Sequence, residues 1–228
     1  MQRKFLAPAL VLVALLTLLA FFGLRVVEAT PAMTFAEEKR EVYLTFDDGP
    51  STIVTGRVLD TLKEENVKAT FFIVSDRAYN REDTLRRIAA EGHTLGVHSA
   101  THIYHEIYAS DEALLKDVAM CENVITRVTG VKPTVYRFPG GGSSAKQRHT
   151  KLLEARGYRV VGWNAACGDA EIYHASPDTL VQETVKTSQG KQSVILLMHD
   201  SANHKATAAA LPRIIAYYRE QGYTFCQF

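Results

Sequence analysis

Short apolar runs alternate with longer, mixed stretches from residue 41 to residue 228. The short runs are rich in β-branched and aromatic residues and predict seven strands, at 42–46, 69–74, 94–98, 134–138, 158–163, 193–198 and 223–228. The stretches between them predict six helices, at 53–65, 83–91, 111–129, 145–156, 177–187 and 207–220. Because strands that alternate with helices form βαβ units, a parallel sheet is expected.

The predicted strands are largely apolar along their whole length and lack the alternation of a half-exposed strand. This pattern is typical of strands whose two faces are both covered. The chain is therefore predicted to be an α/β protein, a distorted (β/α) barrel of about seven parallel strands. An open parallel sheet also fits the pattern.

The composition is that of one globular domain. The 228 residues leave room for one sizeable core. With 46% hydrophobic and 22% charged residues, the chain is neither disordered nor collagen-like. The formal net charge is +1 and basic residues do not cluster, so no nucleic-acid partner is expected, and the oligomeric state is unknown from sequence. Cys121, Cys167 and Cys226 lack CxxC spacing, which argues against a thiolate zinc site. Buried free thiols are favoured, because an isolated cysteine behaves as a small hydrophobe, and one disulfide plus a free thiol is the alternative.

The amino-terminal residues have the pattern of a targeting segment. Arg3 and Lys4 precede an uncharged apolar run at 5–24, which Arg25 follows. Residues 1–29 are predicted to be a signal peptide or a signal-anchor transmembrane helix, and the length of the run favours the anchor. Residues 30–40 are predicted to be a short linker and 41–228 the folded domain, outside the cytoplasm and attached to the membrane if the segment is uncleaved.

Polar side chains suited to catalysis follow the carboxyl ends of the predicted strands. They are Asp47, Asp48, His98, Arg137, Asp169, His199 and Asp200. In a parallel α/β barrel the functional site is built at this edge. A random scatter of polar residues would not select one edge so consistently, so the sequence predicts a site there.

His98 and His102 are four residues apart, the spacing of two side chains on one side of a helical turn. Neutral imidazoles are good ligands for zinc and similar metals, and a carboxylate is the usual third ligand where no thiolate is present. His105 is an alternative ligand one turn farther on. The pair predicts a metal site if a carboxylate joins it.

Asp47 and Asp48 offer that carboxylate. In a continuing strand the two side chains would point to opposite faces of the sheet. They can face one cavity only if the strand ends near Phe46, and Gly49 and Pro50 provide a turn there. The alternative is an Asp-rich turn that caps the next helix, but a cap needs only one aspartate.

These segments together resemble the polysaccharide deacetylase family, the NodB-homology domain of carbohydrate esterase family 4, from about Glu41 to residue 228. Thr-Phe-Asp-Asp-Gly-Pro at 45–50 is similar to the first family motif, and 98–102 matches H-[ST]-x-x-H. Arg-Phe-Pro-Gly-Gly at 137–141 is similar to the third motif, and Leu-Met-His at 197–199 matches L-x-H. Several motifs in this order are far more specific than any one of them.

The resemblance implies roles for four catalytic residues. It assigns the catalytic base to Asp47 and makes Arg137 the partner of that base. It assigns the general acid to His199, with Asp169 orienting its ring. The fourth motif departs from the family pattern, because Ala170 follows Asp169 where a tryptophan is usual.

The resemblance also implies a metal ion and two substrate contacts. Asp48, His98 and His102 are assigned to a divalent metal ion, with zinc favoured over cobalt or another divalent ion. Gly140, through its backbone N–H, and Leu197 are assigned to substrate binding. Gly140 stands where many relatives have an aromatic residue, which bears on substrate preference.

The implied activity is hydrolysis of acetyl groups, N-acetyl above all, from an extracellular amino-sugar polysaccharide such as peptidoglycan or a chitin-like glycan. One alternative is a catalytically weak cell-wall glycan-binding module. Another is a 2-His-1-carboxylate iron oxygenase. The second carboxylate, its arginine partner and the distal histidine favour the hydrolase over both, because neither alternative needs them.

Several other residues are predicted to have structural or undecided roles. Trp163 is predicted to belong to the core, and Asp200 either tunes His199 or caps the next helix. Tyr104 and Tyr108 either line a groove or pack internally. The remaining histidines are predicted to be surface or loop residues: His93, His149, His174 and His204.

Overall fold

A computed structural model describes residues 39–142 and 146–228. The predicted signal peptide or anchor at 1–29 and nearly all of the predicted linker at 30–40 lie outside these ranges. The last residue of that linker, Arg40, begins the first strand. Within the described ranges, no helix has both the length and the apolar character needed to cross a membrane.

Eight strands in the described part of the chain form one parallel sheet. They are β1 (Arg40–Gly49), β2 (Thr70–Val74), β3 (Thr94–Ser99), β4 (Val135–Tyr136), β5 (Arg159–Val160), β6 (Ala165–Ala166), β7 (Ser193–His199) and β8 (Tyr223–Cys226). The hydrogen-bonded order is β5-β4-β3-β2-β1-β7-β6, and β8 pairs with the first residues of β1. The sheet curls into a half-barrel, which confirms the predicted α/β fold of distorted-barrel type.

The two end strands of this order differ from the prediction. The strand predicted at 158–163 is confined to β5 at Arg159–Val160. The unpredicted strand β6, at Ala165–Ala166, pairs with Leu196 and Leu197 of β7. Two alanines form no apolar run, so the sequence alone does not indicate a strand there. Trp163 consequently lies between two strands.

Six longer helices are confirmed with ends within two residues of the prediction, and two helices of four residues are added. They are α1 (Val54–Glu64), α2 (Ser75–Ala78), α3 (Glu82–Ala90), α4 (Tyr104–Ile107), α5 (Asp111–Thr129), α6 (Gln147–Glu154), α7 (Pro177–Ser188) and α8 (Lys205–Glu220). Four residues are too few to show a helical period, so the sequence does not predict α2 and α4.

Local capping signals fix the ends of α5. The Ser110 hydroxyl accepts the backbone N–H of Ala113 at 3.1 Å, which satisfies a free donor of the first turn. Gly130 follows the last turn with a φ of 74°, a conformation that glycine adopts without a steric penalty. Because both signals are local, the predicted range 111–129 agrees with the observed helix.

The core fills the space between the sheet and the helices. β2 is buried along its whole length, and Phe46 of β1 stacks on Phe71 of β2 with ring centroids 5.1 Å apart. Leu59 of α1 and Ile214 of α8 are fully buried in the same cluster. This packing fixes the strands side by side, so that their carboxyl ends meet at one edge of the sheet.

The three cysteines are free thiols, as predicted. Cys121 and Cys167 are buried, and burial raises the pKa of the Cys121 thiol to about 12. Cys226 is only half-buried.

Candidate active site

An irregular backbone at the end of β1 brings two aspartates to one cavity. The strand was predicted to end near Phe46, and this prediction is wrong because the strand continues to Gly49. Its register against β2 shifts between Asp47 and Gly49, and Asp48 has a φ of 75°. Such a bulge re-aims side chains, and aspartate tolerates the left-handed region better than most residues. Both carboxylates therefore line the same cavity instead of pointing to opposite faces.

His98 and His102 reach Asp48 from a strand and a loop, so the prediction that they share one helical turn is wrong. His98 lies in β3, and His102, with a φ of 62°, lies in the loop before α4. Their Nε2 atoms are 3.5 and 3.0 Å from Oδ1 of Asp48. The four-residue spacing brings the rings together because the chain turns back sharply after β3. The alternative ligand His105 is exposed on α4.

Asp117 of α5 shapes this turn, although the sequence reasoning missed it. Its Oδ1 accepts the Ser99 hydroxyl at 3.1 Å and the Ala100 N–H at 3.0 Å. The Ser99 oxygen in turn accepts the N–H of His102 at 2.9 Å. A usable signal was present, because Asp117 falls at helical spacing from Leu114 on the buried stripe of α5. A charged residue in that position needs a buried partner.

The three side chains fit a divalent metal ion. The candidate ligand atoms of Asp48, His98 and His102 lie within 4.8 Å of one another. Oδ1 of Asp48 is buried and has no hydrogen-bond partner among the described residues. Nδ1 of His98 donates to the carbonyl oxygen of Arg137 at 2.8 Å, so its Nε2 presents a lone pair to the carboxylate. Oxygen and nitrogen lone pairs that converge in this way are stabilised by a cation.

The electrostatics of the site favour the ligating forms of these side chains. Burial by itself raises the pKa of Asp48, but His102, His98 and Arg77 outweigh it and hold the pKa well below its usual range. Burial is also the main influence on His98 and lowers its pKa, although Asp47 and Asp48 oppose it. An ionised carboxylate and a neutral imidazole are the forms that bind metals.

Asp47 is paired with Arg137 in the interior, as the resemblance implies. The Nη1 atom of Arg137 donates to Oδ1 of Asp47 at 2.8 Å and to the Thr45 hydroxyl at 2.7 Å. Its Nη2 atom donates to the Gly162 carbonyl at 2.8 Å, and its guanidinium lies 4.2 Å from the ring centroid of Phe72. Arg137 is fully buried and makes three hydrogen bonds, so its position is fixed and it holds Oδ1 of Asp47 in place.

His199 also lines the cavity and is held in place by Asp169. Its Nδ1 lies 2.8 Å from Oδ1 of Asp169, and its backbone N–H donates to Oδ2 at 2.8 Å. The Thr207 hydroxyl donates to the same Oδ2 at 2.7 Å. Burial lowers the pKa of His199, but Asp169 above all, with Asp47 and Asp48, raises it to about 9. Because Nδ1 is occupied, Nε2 is the nitrogen available for proton transfer.

Two aromatic rings form walls of the cavity, whose volume is about 330 Å³. Gly140 has a φ of 70°, and a Cβ there would lie 3.2 Å from the Tyr104 ring. A Cβ on Gly141 would lie 2.7 Å from the Trp163 ring, so the glycines allow both rings to approach the backbone. Trp163 is 38% exposed and lines the cavity, so its predicted place in the core is wrong. Leu197 also lines the cavity and is buried.

Two of the histidines predicted to be surface or loop residues lie in loops, as predicted, but are not exposed. His93 is buried, its Nδ1 accepts the Ala69 N–H at 3.2 Å, and burial lowers its pKa to about 4. His204 is half-buried and stacks on His199 with ring centroids 5.0 Å apart. His93 packs against Phe71, which is distant in sequence, so local polarity gave no signal of its burial.

Asp200 neither caps a helix nor contacts the His199 ring directly. It is fully buried, and its Oδ2 accepts the Thr55 hydroxyl at 2.6 Å. A Cβ on Gly49 would lie 2.4 Å from this Oδ2, so the carboxyl group packs directly on the bulge of β1. Burial raises the pKa of Asp200 to about 7. Asp200 therefore braces the turn that follows the two site aspartates.

The comparison with known families agrees with this geometry. The model of the family described as polysaccharide deacetylase matches residues 36–161, which is more than half of the chain. The chain belongs to the polysaccharide deacetylase family. The enzyme class implied by the sequence motifs is thereby confirmed.

Named relatives and a solved structure lie within this family. YheN of Bacillus subtilis is 35% identical over 82% of this chain and 66% of its own length. A peptidoglycan-N-acetylglucosamine deacetylase of Bacillus cereus is 30% identical over 87% of this chain and 72% of its own length. The catalytic domain of a peptidoglycan N-acetylglucosamine deacetylase from Eubacterium rectale superposes with a TM-score of 0.77 and 32% identity, covering 83% of this chain and 88% of that one.

Proposed function

We propose that this polysaccharide deacetylase removes N-acetyl groups from an amino-sugar polysaccharide outside the cytoplasm. The favoured substrate is peptidoglycan, on which the named relatives of Bacillus cereus and Eubacterium rectale act, and a chitin-like glycan is second. The extracytoplasmic location rests on the basic and apolar pattern at 1–29. The observation that carries the proposal is the arrangement of Asp47 and His199, two separately positioned proton-transfer groups, around one candidate metal site.

Asp48, His98 and His102 would hold the metal ion, and zinc is favoured for a set of two imidazoles and one carboxylate. Cobalt or another divalent ion remains compatible with the same ligands. When bound, such an ion polarises the acetamide carbonyl and lowers the pKa of water.

Asp47 acts as the general base. Its Oδ1 is fixed by Arg137, which leaves Oδ2 on the side of the cavity, 3.9 Å from Nε2 of His98. A carboxylate at this position takes the proton of the water that attacks the acetyl carbonyl. The Gly140 backbone N–H, at the cavity wall, is proposed to donate to the developing oxyanion.

His199 acts as the general acid. Its raised pKa keeps the imidazolium populated at neutral pH, and Nε2 carries the proton that is donated to the leaving amine. Asp169 fixes the orientation of the ring through Nδ1. The C–N bond breaks as the amine is protonated, and acetate is the other product.

Acetate release tests this function. The full chain would be incubated with chitooligosaccharides and with purified peptidoglycan, before and after chelation and after zinc is restored. Chelator-sensitive acetate release is the expected result. Tight glycan binding without acetate would support the binding-module alternative, and oxygen consumption dependent on iron and 2-oxoglutarate would support the oxygenase alternative; either result would overturn the proposal.

The Asp169→Asn variant is expected to lose turnover at a lower pH than the wild-type chain. Turnover falls on the alkaline side as His199 loses its proton, near the pKa of about 9. Removing the charge of Asp169 leaves burial as the main influence, so the alkaline limb should shift down by roughly two pH units. The measurement is kcat against pH, with Asp178→Asn on the exposed face of α7 as the control. An alkaline limb at the same pH in Asp169→Asn and the wild-type chain would show that Asp169 does not raise the pKa of His199.

The Trp163→Ala variant is expected to bind its glycan substrate more weakly. The exposed ring face at the cavity wall offers an apolar surface for a sugar ring, so KM should rise about fivefold while kcat changes little. Steady-state kinetics on one glycan would measure this, with the exposed Tyr173→Ala variant as control. Equal kinetics in all three proteins would show that Trp163 does not contact substrate.

A further inference from the structure

A second cavity lies beside the candidate active site at the carboxyl edge of the sheet. Its volume is about 260 Å³. The lining includes residues that follow β1, residues of the segment after β2 and residues that follow β7: Pro50, Ser51, Arg77, Arg81, Ser201 and Asn203. Among the described residues that line it, none carries a carboxylate. We refer to it as the arginine cavity.

Arg77 joins the arginine cavity to the active site. Its Nη1 donates to the backbone carbonyl of Asp48 at 2.6 Å and lies 3.5 Å from Oδ2 of the same residue. The side chain is 37% exposed, and Arg77 also lines the arginine cavity. A group bound in the arginine cavity is therefore separated from the metal ligand Asp48 by a single side chain.

Arg81 brings a second positive charge to this cavity. Its Nη1 donates to the backbone carbonyl of Arg77 at 2.8 Å, which ties the Arg81 guanidinium to the backbone of the other arginine of this cavity. The carboxylates of the next two residues are engaged elsewhere, since Glu82 pairs with Arg86 and Arg127, and Asp83 pairs with Arg86. In the described ranges Arg81 forms no salt bridge of its own.

Two arginines that line a cavity without a carboxylate make its potential positive, and a bound anion is stabilised by that potential. Guanidinium groups also bind carboxylates through paired hydrogen bonds. The side-chain amide of Asn203 offers a further donor at the wall of the same cavity.

We infer that the arginine cavity is a subsite for a carboxylate carried by the polysaccharide next to the acetylated sugar under attack. The inference rests on the proposed deacetylase function and specifies its substrate as an acidic glycan. In peptidoglycan such a carboxylate has two sources, the lactyl ether of the neighbouring sugar and the peptide attached to it. Neutral chitooligosaccharides have neither.

The Arg81→Gln variant tests this subsite, because Arg81 contacts neither the metal ligands nor the acid–base residues. Acetate release would be measured on neutral chitooligosaccharides, on glycan strands with free lactyl carboxylates, on strands with intact peptides, and on strands whose carboxylates are converted to amides. KM is expected to rise about tenfold on carboxylated strands and to stay unchanged on neutral and amidated ones. Added salt should weaken the wild-type preference for the charged strands.

Two variants control for loss of charge and for general effects on folding. Arg156→Gln removes an exposed arginine at the end of α6, away from the arginine cavity, and should behave as the wild-type chain. Arg81→Lys keeps the charge without the paired donors and should retain part of the affinity for carboxylated strands. If Arg81→Gln raises KM on peptide-free strands, the subsite binds the lactyl carboxylate. If it raises KM only on peptide-bearing strands, the subsite binds a carboxylate of the peptide.

The outcomes separate the subsite from the deacetylase function. If Arg81→Gln raises KM equally on neutral and carboxylated substrates, or on neither, the subsite is overturned while the activity stands. If the wild-type chain releases no acetate from any substrate, the proposed function is overturned instead. In that case, calorimetry would measure the affinity of carboxylated strands for the wild-type and Arg81→Gln proteins. Weaker binding by Arg81→Gln would support the carboxylate subsite, and equal affinities would reject it.

Discussion

The Asp48→Asn variant is expected to bind its metal ion at least about 100-fold more weakly than the wild-type chain and to lose nearly all activity at limiting metal. Oδ1 of Asp48 is the atom on which His98 and His102 converge, at 3.5 and 3.0 Å. An amide oxygen in that place carries no charge and is a poor ligand. Asparagine also tolerates the φ of 75° at this position, so the backbone should be preserved.

Thermal unfolding with and without zinc separates metal binding from turnover. A ligand at 100 times its Kd stabilises the folded state by about 2.7 kcal/mol, so the wild-type chain should gain several degrees of Tm with zinc. Asp48→Asn should lose most of this gain, whereas Asp76→Asn, at the exposed start of α2, should keep it. A zinc-dependent shift that is the same in all three proteins would show that Asp48 is not a ligand.

The Asp47→Asn variant is expected to lose about 10²–10⁴-fold in kcat because an amide cannot accept the proton of the attacking water. In the wild-type chain Nη1 of Arg137 donates to Oδ1 of Asp47 at 2.8 Å, and the amide oxygen of asparagine can still accept this hydrogen bond. Metal binding should persist because Asp48, His98 and His102 are untouched. KM should change little, since Asp47 acts in the transition state.

Stability is the second measurement on Asp47→Asn. Arg137 is fully buried, and loss of its charged partner should lower Tm, although Thr45 and Gly162 still accept its hydrogen bonds. Kinetics would therefore be measured well below the Tm of the variant, after its zinc content is verified. Near-wild-type kcat in folded, zinc-loaded Asp47→Asn would remove Asp47 from the role of base.

Motifs at strand ends made much of the site predictable. The order of elements predicted Asp47, Asp48 and His199 at the carboxyl ends of apolar strands, where they lie, and parallel strands bring such ends together. Strand ends are a local property of the chain, so the sequence indicates them. The capping signals of α5 are local in the same way, and the predicted bounds of that helix agree with the structure.

Other parts of the site depend on contacts between distant segments. The turn that brings His102 to Asp48 is held by Asp117, which lies in α5 on a separate element. Trp163 faces the cavity because β5 ends at Val160, and an apolar run does not reveal where pairing stops. The arginine cavity likewise combines segments that follow three different strands.

The sequence by itself determined the α/β architecture and the helix positions, because periodicity and capping are encoded locally. The resemblance of its motifs to those of the family indicated the candidate catalytic and metal-ligating residues. Only the tertiary structure decided how those residues converge. The bulge of β1, which turns Asp47 and Asp48 to one side, exists because β1 must pair with β2 and β7 while Asp200 packs against Gly49. That packing joins residues about 150 positions apart, and no local pattern specifies it.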